Sequence, residues 1–254
     1  MILLTGCADT FRMSSFSFKP FFPYRLIERL ENSSNISNIS SKHYAILIAG
    51  NAEDRHKNNL ALAYQVLLEQ GYNKQDIYIF DSSGVDTPVY PLTDQASLNS
   101  IYIMFNWLTL NVNKNDTVLL YMTGHGTKIG TKSAYMLNKV EILFKKDFEE
   151  LILKINPKLG IVFSDFCYWG PTNNNLELSE FVFINVADDN HVSAGTMFAR
   201  EFWKSFRKKE NQSLMDAFNI AYEKDIFSSK KRINKPRIVF FENNPEHYNL
   251  LGEN

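Results

Sequence analysis

Two short segments of the sequence combine residue types that can carry out acyl transfer. Met122–Gly126 contains His125, and Ser164–Gly170 contains Cys167. A thiolate attacks a carbonyl carbon, but a free thiol with a pKa of about 8.5 is mostly protonated at neutral pH. A neighbouring imidazole can take that proton and later give it to the leaving amine. His125 and Cys167 therefore predict nucleophilic catalysis if the fold brings them together.

Each segment closes an apolar run that has the character of a buried strand. Thr117–Met122 leads to His125, and Leu159–Phe163 leads to Cys167. Neighbouring parallel strands would deliver both residues to the carboxyl edge of the sheet, where open α/β sheets bind their ligands. Glycine beside the histidine allows close approach of backbone and substrate. The amides of Gly126 and Cys167 are therefore the predicted oxyanion donors, each worth about 3 kcal/mol.

Taken singly, these residues have ordinary explanations. A lone cysteine after a strand is usually a small buried hydrophobe, and a Gly-His-Gly segment is usually a turn. Their joint occurrence at the ends of two strands separated by one helix favours the catalytic interpretation.

The rest of the sequence alternates strands with helices, which indicates a mostly parallel sheet covered on both faces. Residues 1–42 are predicted to be a tail or linker, and residues 43–254 a single α/β domain. A helix is expected from about Asp94, and a short excursion around Ala134–Leu137. The six predicted strands are Tyr44–Ala49, Ile77–Phe80, Thr117–Met122, Leu159–Phe163, Phe181–Val186 and Arg237–Phe241.

Composition excludes several classes of function. The formal net charge is −1 with interspersed signs, so no electrostatic footprint for nucleic acid is expected. Cys7 and Cys167 are the only cysteines, which argues against a disulfide framework and a CxxC zinc site. Leu4–Cys7 resembles a bacterial lipoprotein box without the usual signal ahead of it. The predicted location is therefore the bacterial cell envelope, with Cys7 as the only membrane anchor, or the cytoplasm.

Several motifs together resemble the legumain-type (C13) branch of the caspase-like cysteine peptidases, in its compact bacterial form. Thr123–Gly126 is similar to the family's Ser/Thr-Gly/Asp-His-Gly segment, and Cys167–Gly170 to its Cys-Tyr-Ser-Gly. Ala49–Asn51 with Arg55-His56, and Gly195–Arg200, resemble further family segments. The interval from His125 to Cys167 is close to the roughly 50 residues of caspase signatures.

The resemblance implies a three-layer caspase-like fold, with Cys167 as nucleophile and His125 as acid and base. It also implies that Arg55 and Asp165 line the pocket for an Asn or Asp before the cut and neutralise each other there. Arg200 stands where the family has an acidic pocket residue, and Trp169 replaces a small serine, so it would wall or partly block the pocket. Two arginines against one carboxylate predict a preference for Asp.

The sequence therefore predicts a cysteine endopeptidase acting on peptides or proteins, with no metal or organic cofactor. The alternatives are a peptide ligase or transamidase, and a pseudo-peptidase that serves as a peptide-binding module or scaffold. A nucleotide-binding flavodoxin-like domain is disfavoured because no phosphate-cradling Gly-rich loop follows the first strand.

Overall fold

The computed structural model describes residues 23–33, 41–50, 53–170, 180–195, 197–207, 212–240 and 248–253. The strands are β1 (His43–Gly50), β2 (Ile77–Asp81), β3 (Asp94–Gln95), β4 (Thr117–Gly124), β5 (Gly126–Ile129), β6 (Lys132–Met136), β7 (Ile142–Phe144), β8 (Leu159–Asp165), β9 (Phe181–Asn185), β10 (Arg237–Phe240), β11 (Tyr248–Asn249) and β12 (Gly252–Glu253). The α-helices are α1 (Tyr24–Ser33), α2 (Asp54–Glu69), α3 (Leu98–Asn111), α4 (Lys145–Ile152), α5 (Met197–Ser205), α6 (Leu214–Lys224) and α7 (Ile226–Ser229). None of these helices is long and apolar enough to cross a bilayer.

A seven-stranded sheet in the order β10-β9-β8-β4-β1-β2-β3 forms the centre of the molecule. Its strands run parallel, except that β10 is antiparallel to β9. All six predicted strands lie in this sheet, which confirms the expected mixed α/β architecture. Five of its strands, β1, β2, β4, β8 and β9, are rich in apolar residues and buried along almost their whole length, because both faces of the sheet are covered.

Alternate residues of each strand enter two separate cores. Val118, Leu120 and Met122 of β4 pack with α1, α3 and α4 on one face. Leu119 and Tyr121 pack with α2, α5 and α6 on the other. We call these the α3 face and the α2 face. A mostly parallel sheet flanked by helices is the result.

The predicted tail is wrong for residues 24–33, which form α1. Leu26 and Leu30 of this helix are 0% and 5% exposed within the core of the α3 face. Arg29 also donates to the Ile77 carbonyl at 2.7 Å. This part of the chain therefore belongs to the domain, whereas Cys7 lies outside the described residues.

The helix expected from about Asp94 begins later. Ser97 caps α3 by accepting from the Ser100 amide at 3.1 Å. Asp94 is buried and accepts from the Leu26 amide at 3.4 Å, so it forms the short edge strand β3 with Gln95 instead. The local sequence pattern places Asp94 in the helix, but its contacts with α1 and β2 hold it in a strand.

A three-stranded antiparallel sheet, β5-β6-β7, lies at the carboxyl edge of the central sheet. Tyr135 of β6 links the two sheets, because its hydroxyl accepts from the Gly50 amide and donates to the Thr123 carbonyl, both at 2.7 Å. The predicted excursion around residues 134–137 is therefore the middle of a small sheet that holds the ends of β1 and β4 together.

Candidate active site

The strands that precede His125 and Cys167 are direct neighbours in the central sheet. β4 and β8 pair in parallel, with Thr123 opposite Asp165 at their ends. His125 follows β4 by one residue, and Cys167 follows β8 by two. The expected delivery of both segments to one carboxyl edge is confirmed.

Gly126 and Cys167 lie in close backbone contact. A Cβ atom on Gly126 would stand 1.9 Å from the Cys167 carbonyl oxygen and 2.8 Å from the Phe166 ring. Only glycine can occupy position 126 without moving the chain. The two residues predicted to supply the oxyanion amides are therefore adjacent in space.

The thiol of Cys167 is held by a loop that the sequence patterns did not single out. The Ser193 amide donates to Sγ at 3.2 Å, and the Ser193 carbonyl lies 3.6 Å from Sγ. Cys167 is 4% exposed. The amide would stabilise a thiolate, whereas the carbonyl would accept a hydrogen bond from the thiol, so the loop can hold the sulfur in either form.

The imidazole of His125 has a carboxylate partner, Glu53, that sequence reasoning missed. Glu53 Oε1 lies 3.3 Å from His125 Nε2, and Glu53 Oε2 lies 2.9 Å from Arg55 Nε. A carboxylate beside one ring nitrogen orients the imidazole and selects its tautomer. Glu53 precedes α2 and belongs to no spacing pattern, so only the tertiary contact identifies it.

A buried hydrogen-bond chain begins at His56 and ends at Asp165. His56 Nδ1 lies 2.7 Å from Thr123 Oγ1, which donates to Asp165 Oδ2 at 2.8 Å. Thr123 has a single hydroxyl proton, so Nδ1 of His56 donates to Thr123 whenever Asp165 is ionised. Nε2 of His56 is then an unprotonated acceptor, buried and without a hydrogen-bond partner in the described part of the chain.

Burial shifts the pKa values of both ends of this chain. It lowers the pKa of His56 to about 3, and the charges of Arg55 and His125 add to the lowering. Burial also raises the pKa of Asp165 to about 7, against the opposing effect of its hydrogen bonds and of Arg55. The rings of His56 and His125 meet edge to face with centroids 5.6 Å apart. His56 is therefore a neutral neighbour of His125.

The predicted contact between Arg55 and Asp165 is replaced by two separate arrangements. Arg55 is exposed and pairs with Glu53, whereas Asp165 is 2% exposed and accepts from Thr123 and Tyr121. Asp165 follows the strand alternation and points into the α2 face with Tyr121. The charge of Arg55 still acts on Asp165 through space, but the predicted pairing of the two side chains in one partly desolvated cleft is wrong.

We expect the Asp165→Asn variant to gain stability over the wild type as the pH rises. The raised pKa means that the folded protein holds a proton on Asp165 that the unfolded chain has released above about pH 4. The free energy of unfolding of the wild type therefore falls by up to about 4 kcal/mol between about pH 4 and pH 7, through Asp165 alone. Urea unfolding of both proteins from pH 4 to pH 8 measures the difference.

Asp86→Asn is the matched control, because Asp86 is exposed and pairs with Arg25 at the surface. Its stability difference from the wild type should change little over the same pH range. A difference for Asp165→Asn that is equally flat would contradict the raised pKa.

Trp169 does not wall a pocket, which corrects that prediction. It is 3% exposed, and its ring centroid lies 5.1 Å from that of Phe166 and 5.6 Å from that of Phe148. These contacts place it in the core of the α3 face, on the opposite side of the sheet from Asp165. An indole at this position is accommodated by packing, since the neighbouring aromatic rings leave it an apolar site.

Arg200 lies on α5, whereas Tyr168 belongs to the thiol segment itself. Arg200 is exposed on α5, with Nε 3.2 Å from Glu201 Oε1, so its charge is partly offset. Tyr168 adopts a positive φ of 57°, and its amide donates to the His191 carbonyl at 2.9 Å. The turn that follows the thiol is therefore tied to the same loop that carries Ser193.

Asp189 fixes the far end of the thiol segment. Its carboxylate accepts from Lys145 Nζ at 2.8 and 2.9 Å and from the Gly170 amide at 3.0 Å. Asn173–Asn175, which follow, lie outside the described residues. Among the described side chains, no group of three or more His, Cys, Asp or Glu is arranged to hold a metal ion.

No known protein-family model matches this chain, and comparison with curated proteins gives no significant match.

Proposed function

We propose that the chain is a thiol-dependent endopeptidase of the caspase-like, legumain-related type, which cuts peptides after Asn or Asp. Cys167 acts as nucleophile and His125 as general acid and base. The observation that carries the proposal is the parallel pairing of β4 and β8, with Gly126 packed against the Cys167 carbonyl. A histidine and a cysteine follow these two strands at one ligand-binding edge.

The proposed reaction begins with transfer of the Cys167 proton to His125. Glu53 accepts the Nε2 proton of His125, which leaves Nδ1 of the neutral ring as the basic nitrogen. Sγ bonds to the carbonyl carbon, the C–N bond breaks, and His125 returns the proton to the leaving amine. Water then attacks the thioester with His125 as base, which releases the acid and restores the thiol.

The developing oxyanion requires preorganised donors. The amides of Gly126 and Cys167 remain the proposed pair, supported by the contact between the two residues. Ser193, whose amide donates to Sγ, assists at the earlier stage by stabilising the thiolate. Donors on a rigid backbone need no reorganisation during the reaction.

Recognition of Asn or Asp is assigned chiefly to Arg55. Its side chain is 45% exposed, and a guanidinium can donate to a side-chain oxygen of either residue while it contacts Glu53. Asp165 has a supporting role, because its hydrogen bond to Thr123 fixes the hydroxyl that contacts His56, the residue after Arg55. Since Glu53 and Glu201 offset Arg55 and Arg200, the excess positive charge that predicted Asp over Asn is reduced.

Cleavage of a peptide reporter library by the wild type tests this function. Reporters that differ only in Asn, Asp, Gln or Ala before the scissile bond should show faster release for Asn and Asp, and iodoacetamide treatment should stop it. Release that survives full alkylation of Cys167 would contradict a thiol mechanism.

The second candidate is a peptide-binding module that retains the fold without catalysis. The burial of Cys167 and the contact of its thiol with Ser193 favour this function, because a structural thiol is inert. Alkylation separates the two functions. A thiol that reacts with iodoacetamide at pH 7 faster than free cysteine supports the peptidase, and one that reacts no faster supports the binding module.

A further inference from the structure

A pocket with a volume of about 190 Å³ lies between the end of α6 and the start of β10. Arg232, Lys235 and Arg237 line it, together with Ser228 and Asn234. Pockets for drug-sized ligands are larger, about 300–1,000 Å³. This one therefore suits a single side chain or a small ion.

The pocket has a strongly positive rim. Five of the eight residues 230–237 are Lys or Arg and none is acidic, although the chain as a whole has a net charge of −1. In the described part of the chain, no carboxylate lies within ion-pair distance of Arg232, Lys235 or Arg237. Arg232 also adopts a positive φ of 53°, so its position is set by the loop and not by local backbone preference.

One carboxylate lies behind the pocket wall, and it is already engaged. Asp225 is fully buried and accepts from Ser228 Oγ at 2.5 Å and from Asn234 Nδ2 at 2.8 Å. These contacts hold two wall residues in place. The Asp225 carboxylate therefore binds residues of the pocket wall, and its single negative charge offsets only part of the positive charge of the three cations on the rim.

The same wall is joined to the loop that holds the thiol. Asn234 Oδ1 accepts from the Ala194 amide at 2.6 Å, and Asn234 Nδ2 donates to the Ala194 carbonyl at 3.2 Å. Ser193, the preceding residue, donates to Cys167 Sγ. Asn234 of the pocket wall is thus linked to the thiol through Ser193, Ala194 and two hydrogen bonds, a path on the order of 10 Å.

The positive charge of Arg237 acts on Asp188, which lies in the same loop as Ser193. Burial alone would raise the pKa of Asp188, but hydrogen bonds from His191 and the Asn190 amide, with the charges of His191 and Arg237, lower it below its ordinary value. Arg237 also lies opposite Asn185 at the carboxyl end of β9. The basic rim therefore belongs to the same edge of the sheet as the candidate active site.

We infer that this pocket is a substrate subsite that binds the carboxylate of a Glu or Asp side chain several residues from the scissile bond. The inference rests on the proposed peptide cleavage and adds a second recognition point to it. A carboxylate matches the guanidinium groups of Arg232 and Arg237. An extended peptide covers about 10 Å with three residues, so the acidic residue would lie about three positions from the cut.

Paired peptide reporters test the subsite. Glu and the isosteric Gln are placed in turn at each of four positions on either side of the cut, and kcat/KM is measured for each pair. We expect one position to favour Glu by about tenfold, because Gln keeps the shape of the side chain but loses the charge-assisted contacts to two arginines. Arg232→Gln and Lys235→Gln should each lower that ratio toward one.

Lys114→Gln is the matched control, since Lys114 is exposed in the turn before β4, at the opposite edge of the sheet. It removes the same charge and should leave the ratio of Glu to Gln unchanged. A ratio near one at every position, in a wild type that cleaves the reporters, overturns the subsite and leaves the peptidase proposal standing. A ratio that Lys114→Gln lowers as much as Arg232→Gln also overturns it.

A direct titration covers the case in which no reporter is cleaved. N-acetylglutamate, its Gln analogue and inorganic phosphate are added separately while the arginine Nε–H signals of the wild type and Arg232→Gln are followed by NMR. Saturable shifts with N-acetylglutamate alone support a carboxylate pocket even if the peptidase proposal fails. Saturation by phosphate alone, or by none of the three, overturns the subsite.

Discussion

Cys167→Ala and His125→Ala should each lower kcat for peptide cleavage by about 10⁴-fold or more, with little change in KM. Without the thiol no acyl-enzyme forms, and without the imidazole the thiol keeps its proton and the leaving amine receives none. Both residues follow paired strands at one edge of the sheet. Steady-state kinetics on the best Asn or Asp reporter measure the loss.

The double variant decides whether the two residues act as one unit. If they do, removing both should cost about as much as removing either alone, because the second change finds no mechanism left to impair. Two losses that multiply would mean that His125 and Cys167 contribute independently, and the proposed dyad would be wrong.

His43→Ala is the control for histidine removal. His43 begins β1, at the amino edge of the sheet, and its ring packs against Tyr72. It should leave kcat within about twofold of the wild type, since the site lies at the opposite edge. Equal unfolding midpoints for His125→Ala and the wild type would show that the loss of kcat is not a folding defect.

Gly126→Ala is expected to damage both stability and activity. A methyl group 1.9 Å from the Cys167 carbonyl oxygen cannot be accommodated unless β5 or the thiol segment moves. Overpacking of this kind costs about 1–3 kcal/mol, and displacing an oxyanion amide costs about 10²-fold in kcat. Urea unfolding and reporter cleavage measure the two effects on the same preparation.

Gly130→Ala is the matched control on the same hairpin. Gly130 has a φ of 62°, and nothing lies within 4 Å of the place that an added methyl group would take. The substitution therefore suffers only the backbone cost of a left-handed residue, about 1 kcal/mol. Its kcat should equal that of the wild type. If Gly126→Ala behaved like Gly130→Ala in both measurements, the tight contact between the two segments would be refuted.

Local patterns predicted the framework of the site well. The runs that become β1, β4, β8 and β9 consist mainly of apolar residues, which is what burial on both faces requires. Ser213, three residues before Asp216, has the spacing of a helix cap, and its hydroxyl accepts from the Asp216 amide at 3.0 Å. Such features depend on residues close in sequence, so the sequence contains them directly.

Contacts between distant residues were predicted poorly. Glu53 contacts His125 across 72 positions, and Ser193 contacts Cys167 across 26. Neither glutamate nor serine carries a spacing signal that distinguishes it from a solvated loop residue. The family resemblance implies that Arg55 and Asp165 share a pocket, but Arg55 pairs with Glu53 instead.

By itself, the sequence determined six of the seven strands of the central sheet, and that a histidine and a cysteine follow two of them. Only the tertiary structure decided that Asp165 is buried beneath Thr123 and that Trp169 packs in the core. The physical reason is that periodicity encodes which face of an element is covered, whereas the partner of a polar side chain depends on which loops the completed sheet brings together.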